Sequence, residues 1–286
     1  MKLKIIRVTG GIFIATDGIK NYSIISPGKI KKQYTLLVGD EVSVYKSEDQ
    51  YIIEEVFPRK NELYRPKCAN IDYFILIQSI LEPYFDRILV DKLLVYSFIN
   101  NIIPIIVLTK SDLNSDMADK IKYEYTNYGY NVFKSEIDNL YESDKFLEMI
   151  HNKTVVLAGN SGVGKSTLLN NLSGDVNQKT NSISDKLGRG KHTTRHCEAF
   201  TINKTLIIDT PGFSSFSLNE LPEGKYLSEY FLEMDKYSNK CKFKPCSHIH
   251  EPECYIKKMV ENGEITQERY LSYKKILDEL EKRRMS

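Results

Sequence analysis

The sequence predicts an α/β protein in three parts: a small β-barrel, then a parallel sheet flanked by helices, then a helical segment folded around a metal site. Three observations predict it. Up to about residue 57, short apolar runs are separated at even intervals by turn residues. From about residue 64, near-continuous runs of Ile, Leu and Val alternate with helical patterns, as strands buried on both faces require. Near the C-terminus, three of the five cysteines crowd together with a histidine. The expected domains are 1–63, 64–227 and 228–286.

In the first part the runs are "KIIRVTGGIFIATDGIKNYSIIS", "QYTLLVGDEVSVYK" and "QYIIEEVFP", with Gly10-Gly11, Asp17-Gly18, Pro27-Gly28 and Gly39-Asp40 as turns. An OB-fold barrel suits that length, and an SH3-like barrel reads the same way at this level. In the second part the strands are "DYFILIQSI", "IPIIVLT", "YNVFKS", "KTVVLAG" and "TLIIDT", with a helix through "FDRILVDKLLVYSFINN". The third part ends in "TQERYLSYKKILDELEKRR", an amphipathic helix with Tyr270, Tyr273, Ile276, Leu277 and Leu280 on one side.

With 286 residues the chain is long enough for an enzyme with attached modules. No window approaches the ~20 apolar residues of a membrane span, and "MKLKIIRVTGG" lacks a signal peptide's apolar run and cleavage site. A soluble cytoplasmic monomer without a membrane partner is therefore expected. Forty Lys and Arg against 38 Asp and Glu give a net charge of +2, too small for a global field toward nucleic acid. Local basic clusters stand at 28–32, 58–67 and 185–196. Cys68 and Cys197 are isolated and read as small buried hydrophobes.

"TVVLAGNSGVGKSTLLNNL" reads as strand, Gly-rich loop and helix, the context a phosphate-binding loop needs. Gly159, Gly162 and Gly164 let the backbone N–H groups of the loop, with Asn160, Ser161 and Val163, and the helix N-terminus at Lys165, Ser166 and Thr167, face phosphate oxygens. Lys165 would reach the β- and γ-phosphates and Ser166 would hold Mg²⁺. "TLIIDTPG" places Asp209 to bind Mg²⁺ through a water and Gly212 to sense the γ-phosphate. Between them, "GRGKHTTRH" carries Thr193 and Thr194, one of which would complete the metal shell with GTP bound.

"VLTKSD" supplies the base reader. The Asp112 carboxylate can accept from N1–H and the 2-amino group of guanine, where adenine offers an acceptor at N1 and no 2-amino group; discrimination of ~10⁴-fold follows when such a carboxylate is left unpaired. GTP is thus favoured over ATP. Lys110 would pack its stem along the base, Ser111 completes the loop, and Thr109 stands where such proteins usually have Asn. Ser135, after "YNVFK", is the candidate second base contact. The base reader therefore precedes the phosphate loop, the reverse of an ordinary GTPase, which reads as a circular permutation; domain termini that lie close together allow it. Phe213 follows the D-x-x-G stretch where many GTPases have a water-orienting Gln, so hydrolysis should be slow until a partner completes the site. His192 is the candidate water-orienting catalytic group within the chain, and an RNA- or solvent-facing loop His is the alternative. The chain leaves the GTPase part directly after "DTPGF", so nucleotide state is expected to move the C-terminal module.

"CKFKPCSHIHEPEC" offers Cys241, Cys246, His248 and Cys254, three thiolates and an imidazole suited to one structural, tetrahedral zinc ion, with His250 as a less favoured donor.

Taken together, "LVGDEVSV", "PRKNELYRP", "LTKSDL", "GNSGVGKSTLLN", "GRGKHTTRH", "DTPGF" and "CKFKPCSHIHEPEC", in that order, resemble the ribosome small subunit-dependent GTPase A (RsgA/YjeQ) family over nearly the whole chain. Ser135-Glu136 departs from the family's Ser-Ala. The resemblance implies an α/β fold of a circularly permuted P-loop GTPase domain with an N-terminal OB-fold β-barrel and a C-terminal zinc-binding helical domain. It also implies binding of the small ribosomal subunit and its rRNA late in maturation, with GTP hydrolysis to GDP stimulated by the subunit and coupled to release of assembly factors. The alternative reading is a regulatory GTPase acting on a non-ribosomal RNA or protein.

Overall fold

The computed structural model describes residues 1–9, 11–64, 66–137, 139–173, 198–209, 216, 218–219 and 221–285. His192, Thr193, Thr194, Cys197, Gly212 and Phe213, singled out above, lie outside the described residues.

The first part folds as strands β1 (Lys2–Thr9), β2 (Ile12–Thr16) and β3 (Asn21–Ile25), helix α1 (Gly28–Gln33), and strands β4 (Glu41–Ser47) and β5 (Gln50–Val56). Their order is β1-β2-β3-β5-β4, and β4 pairs back to β1, which closes a five-stranded barrel. Only β3 and β5 run parallel. This is the OB-type connectivity, with the helix between β3 and β4, and it removes the SH3-like alternative. Period-two alternation drives the closure: Leu3 and Ile5 point inward to Phe13, Ile24, Val42, Val44 and Ile53, while Lys2 and Lys4 point out.

A clip anchors the segment that leaves the barrel toward the second part. Asp40 is fully buried; its carboxylate accepts from the Leu37 N–H (2.8 Å) and from Arg59 Nε and Nη2 (both 2.7 Å). Such bidentate pairing is the strong form of ion pair. Arg59, part of the 58–67 basic cluster, is thereby a fastener. Gly39 sits at φ +95°, where a Cβ would lie 1.9 Å from the Ala69 carbonyl oxygen, so only glycine fits. A short hairpin, β6 (Glu62–Tyr64) with β7 (Lys67–Ala69), buries Cys68 at its centre.

The second part alternates β8 (Tyr73–Ser79), α2 (Arg87–Ile99), β9 (Ile103–Thr109), α3 (Ser115–Asn127), β10 (Asn131–Ser135), α4 (Ser143–Ile150), β11 (Thr154–Ala158), α5 (Lys165–Ser173), β12 (Glu198–Ile202) and β13 (Thr205–Asp209). The sheet order is β10-β9-β8-β11-β13-β12, parallel except for β12. One face carries Phe74, Leu76, Ile106 and Leu108 against α2 and α3, the other Ile75, Ile77, Val155 and Leu157 with Phe146 and Leu168. The chain builds outward from β8 through β9 to β10, then returns to the other side of β8 with β11. The crevice beyond the carboxyl ends of β8 and β11 is therefore the topological switch point, where open α/β sheets take their ligands. At the sheet's edge β12 bridges β1 of the barrel at Arg7 and Glu198.

The third part contains a short 3₁₀ turn (Leu227–Tyr230), α6 (Leu232–Ser238), α7 (Tyr255–Glu261) and α8 (Gln267–Met285). Tyr270, Tyr273, Ile276 and Leu280 of α8 share one core with Phe231, Met234, Ile256 and with Val95 of α2. The expected amphipathic helix is thus present. No helix among the described residues is long and apolar enough to cross a membrane.

Candidate nucleotide site and metal centre

At the switch point β11 runs into the 159–164 loop and then into α5. Gly162 and Gly164 adopt φ of +81° and +93°, which keeps the loop curled back toward the helix N-terminus. Gly159 lies so close to β8 that a Cβ would stand 2.5 Å from the Ile77 carbonyl oxygen. Val163 is fully buried beneath the loop, whereas Ser161 and Ser166 are exposed, and Asn160, Lys165 and Thr167 are half-buried. The Lys165 ammonium donates to the carbonyls of Gly159 (2.8 Å) and Asn160 (3.1 Å). Burial lowers its pKa, and the charge of Asp209 partly offsets this. Asp209 ends β13 opposite Leu157 of β11, so it reaches the same crevice.

The predicted base-reading loop joins this crevice from β9. Thr109 is buried at the strand end, and its hydroxyl donates to the Val163 carbonyl. A Cβ on Gly164 would come within 3.4 Å of Thr109, so the two loops are in contact. Lys110 takes a left-handed turn (φ +52°) and its ammonium donates to the Glu82 carbonyl. Ser111 is buried with its hydroxyl on the Ser135 carbonyl (3.4 Å), while Asp112 is exposed. Asn114 then caps α3 through the Met117 N–H. Ser135 is also buried, and its hydroxyl donates to the carbonyls of Glu136 and Asn139 at 3.3 Å. By sequence alone Thr109 is a departure from Asn; what makes sense of it is a partner 54 residues away.

Some 240 residues into the chain, the four metal donors converge. Cys241, Cys246, His248 and Cys254 place their ligand atoms within 4.8 Å of one another. The Sγ atoms of Cys241 and Cys246 stand 3.9 and 3.8 Å from that of Cys254, and His248 Nδ1 lies 3.6 and 3.4 Å from Cys241 and Cys254. Four donors about 2.3 Å from a common centre stand about 3.7 Å apart along each tetrahedral edge. The spacing fits a tetrahedral ion. Burial and the neighbouring sulfurs push the Cys246 thiol up to about 12, and burial lowers His248, so the thiolates need a cation's charge. His250 is exposed.

The loop holding these donors is itself built. Glu251 accepts from the Ser247 N–H (2.5 Å), the Ser247 hydroxyl (3.1 Å) and the Ile249 N–H (3.2 Å). From α8, the hydroxyls of Tyr270 and Tyr273 donate to the carbonyls of His248 (2.6 Å) and Ser247 (2.9 Å). The two tyrosines therefore fix the ligand loop as well as filling the core, a role that periodicity alone does not reveal.

Known proteins share both the sequence and the fold. A family model described as RsgA GTPase matches residues 56–219. A Bacillus cereus protein named small ribosomal subunit biogenesis GTPase RsgA is 42% identical over 261 residues, spanning 89% of this chain and 88% of that protein. A Listeria innocua protein named small ribosomal subunit biogenesis GTPase RsgA 2 is 41% identical over 288 residues, with 98% of each covered. Among solved structures, YloQ, described as a circularly permuted GTPase, superposes with a TM-score of 0.78 at 33% identity, covering 99% of this chain and 95% of that one. YjeQ from Thermotoga maritima gives the same TM-score at 28% identity, with 98% of each chain covered.

Proposed function

This chain belongs to the RsgA GTPase family and is a GTP hydrolase with a circularly permuted fold, and from that premise we propose that it acts on the small ribosomal subunit late in its maturation. Hydrolysis to GDP and phosphate is stimulated by the subunit and coupled to release of assembly factors. The observation that best supports this reading is the meeting of a guanine-reading loop and a phosphate loop at one switch point, in a chain whose relatives carry the ribosomal name. The protein works as a cytoplasmic monomer.

In the GTP-bound state Asp112 accepts from the guanine edge and Lys110 lies along the base, with Ser135 as the second base contact. Thr109 and Ser111 hold that loop in register, Thr109 against the phosphate loop and Ser111 against the end of β10. The backbone N–H groups of residues 159–167 cradle the phosphates, and Lys165 exchanges its two loop carbonyls for phosphate oxygens. Ser166, Asp209 and one of Thr193 and Thr194 would hold Mg²⁺, which would supply charge neutralisation at the phosphoryl oxygens. Gly212 senses the γ-phosphate, and His192 orients the attacking water once the subunit is bound. Zinc at Cys241, Cys246, His248 and Cys254 is structural, because the protein fills all four positions.

The test is GTP turnover by the purified protein alone, with isolated small subunits, and with large subunits as control. Stimulation by small subunits alone is expected. Intact GTP binding without stimulation would remove the ribosome from the function while leaving the GTPase.

A further inference from the structure

β9 and β10 run parallel with Thr109 beside Ser135, so the turn after Ser135 stands next to the loop of Lys110 and Asp112. The two touch, since the Ser111 hydroxyl donates to the Ser135 carbonyl (3.4 Å). On guanine, O6 adjoins N1 along the edge that Asp112 reads, and it is an acceptor. The group that meets it must donate. The Ser135 hydroxyl can do so, because its present bonds to the carbonyls of Glu136 and Asn139 are both 3.3 Å, long for a hydroxyl donor and readily exchanged. Directly after it, where the resemblance leads one to expect Ala, the chain carries the half-buried carboxylate of Glu136.

A free carboxylate at this place would harm the reading of guanine in two ways. It is a stronger acceptor than O6 for the Ser135 hydroxyl, and it would accept from a 6-amino group, which guanine lacks. The structure gives that carboxylate another partner. Glu136 Oε1 accepts from the Tyr141 hydroxyl at 2.7 Å, and the bond pushes the Tyr141 pKa up, so the hydroxyl stays a donor. Tyr141 is itself held on two further sides. Its N–H donates to the Lys134 carbonyl (2.9 Å), and the Lys134 ammonium lies 5.2 Å from the centre of its ring. Lys134 in turn pairs with Asp119 of α3 (2.6 Å). The main chain of Glu136 is fixed too, with its N–H on the Asn139 carbonyl (2.7 Å) and its carbonyl accepting from Asn171 of α5 (3.4 Å).

We propose that Tyr141 is a positioning residue for guanine specificity: by engaging Glu136 it keeps a surplus carboxylate off the 6-position of the base and leaves the Ser135 hydroxyl to O6. The inference rests on the base-reading roles given above to Asp112 and Ser135. A charge introduced beside the base is thus answered five residues downstream. The ligand that gains when the tether is cut is a purine nucleotide with amino groups at both the 2- and 6-positions. It keeps a 2-amino group for Asp112 and offers its 6-amino group to Glu136.

The test compares the full-length wild type with Tyr141→Phe and with Tyr141→Phe/Glu136→Ala, each titrated with GTP and with 2,6-diaminopurine riboside triphosphate. Phenylalanine keeps the ring and its lysine contact, and Tyr141 is 37% exposed, so the fold should hold. Asp112 is the same in all three proteins, so a change in the ratio of the two affinities reports on the 6-position. Tyr141→Phe should lower the preference for GTP about tenfold, the worth of one such hydrogen bond, and removing the carboxylate as well should restore it. An unchanged preference in Tyr141→Phe overturns the proposal. So does a loss that Glu136→Ala fails to repair, because the hydroxyl would then be merely structural. Asp112→Asn checks the reading beneath. A preference for GTP that survives it refutes the base site and the tether together, whereas a preference lost in Asp112→Asn and kept in Tyr141→Phe refutes the tether alone.

Discussion

Replacing Arg269 with Met should destabilise the protein by about 3–5 kcal/mol. Arg269 lies on α8 and is fully buried. Its Nε donates to Glu233 (2.6 Å), its Nη1 to Asp91 of α2, and its Nη2 to the Tyr130 hydroxyl (2.8 Å). The guanidinium also lies 4.3 Å from the centre of the Phe231 ring. Around this unit, Tyr125 donates to Asp91 (2.6 Å), and Arg87 grips Glu124 with two bonds of 2.8 Å. Methionine preserves volume but leaves two carboxylates in a site where Asp91 is fully and Glu233 nearly buried. Breaking a buried pair in this way costs about 3–5 kcal/mol, against a typical total of about 5–15. The assay is urea unfolding followed by the nineteen tyrosines, the chain having no tryptophan, with release of bound zinc as a second probe. A loss below about 1 kcal/mol would refute the reasoning, because the two carboxylates would then have found water or protons at little cost. Replacing Asp91, Glu233 and Arg269 together with apolar residues should recover most of the loss, since well-packed hydrophobic substitutes for a buried ionic cluster are often neutral.

Four further outcomes are expected. Thr109→Val strands a buried carbonyl at Val163, an effect of about 1–3 kcal/mol, so GTP affinity should fall about tenfold in titration calorimetry while Thr109→Ser retains it. Removing zinc by chelation, or Cys254→Ser, should loosen the 241–254 loop, read as faster limited proteolysis there, yet spare GTP turnover without partner, because the Arg269 cluster holds α8 on α2 independently of the metal; equal loss of both would contradict this. Asp17, held by the Lys20 N–H, the Tyr22 hydroxyl and the Ile19 N–H, should titrate at about 2 by NMR. A depressed carboxylate stabilises above its unfolded pKa of about 4 and loses that contribution as pH falls through 2, so Tyr22→Phe should move the midpoint upward. Lys92 and Glu279 pair at 2.6 Å across α2 and α8; a short cross-link between cysteines placed there should leave subunit release intact, and a protein trapped on the subunit would show that these helices must separate.

The strand, glycine loop and helix of the candidate phosphate site were legible because such a loop makes local demands. Glycines at fixed offsets, a strand before and a helix after are all written within twenty residues. The barrel's strands were legible too, from turns and alternation, but its type was not. What distinguishes it is the parallel pairing of Ile24 and Ile25 with Tyr51 and Ile52, a contact between strands that are not neighbours in the chain. Arg269 was invisible for the same reason. In "TQERY" it reads as a solvent-facing residue, and only partners 36, 139 and 178 positions away turn it inward. The 58–67 cluster likewise reads as a basic loop, although Arg59 is committed to Asp40 and Lys60 to Asp72. Charge is read correctly from sequence as a count, and incorrectly as a surface, whenever its counter-charge lies far along the chain.

The distribution of these ion pairs bears on how a permuted GTPase transmits its state. The chain passes from Asp209 into the third part, and chain order alone makes that part the expected mover. Yet the Arg269 cluster ties α8 and Glu233 to Asp91 on α2, while Thr266 donates to Glu124 on α3 (2.5 Å). Leaving one member of such a buried cluster unpaired costs about 3–5 kcal/mol, more than the about 1–3 kcal/mol typical of coupling between ligand sites. Any nucleotide-driven displacement of the third part is therefore expected to carry α2 and α3 with it rather than to break these pairs. Among the described residues the barrel meets the sheet at the bridge between Arg7 and Glu198 and through Lys4 on Thr154, and it meets the β6–β7 hairpin through Gly39 packed on Ala69 and the Ala69 N–H on the Val38 carbonyl. Permutation sets the C-terminal module next to β13 in sequence, while its buried ion pairs bind it to α2 and α3, so a signal that follows the chain must move those helices as well.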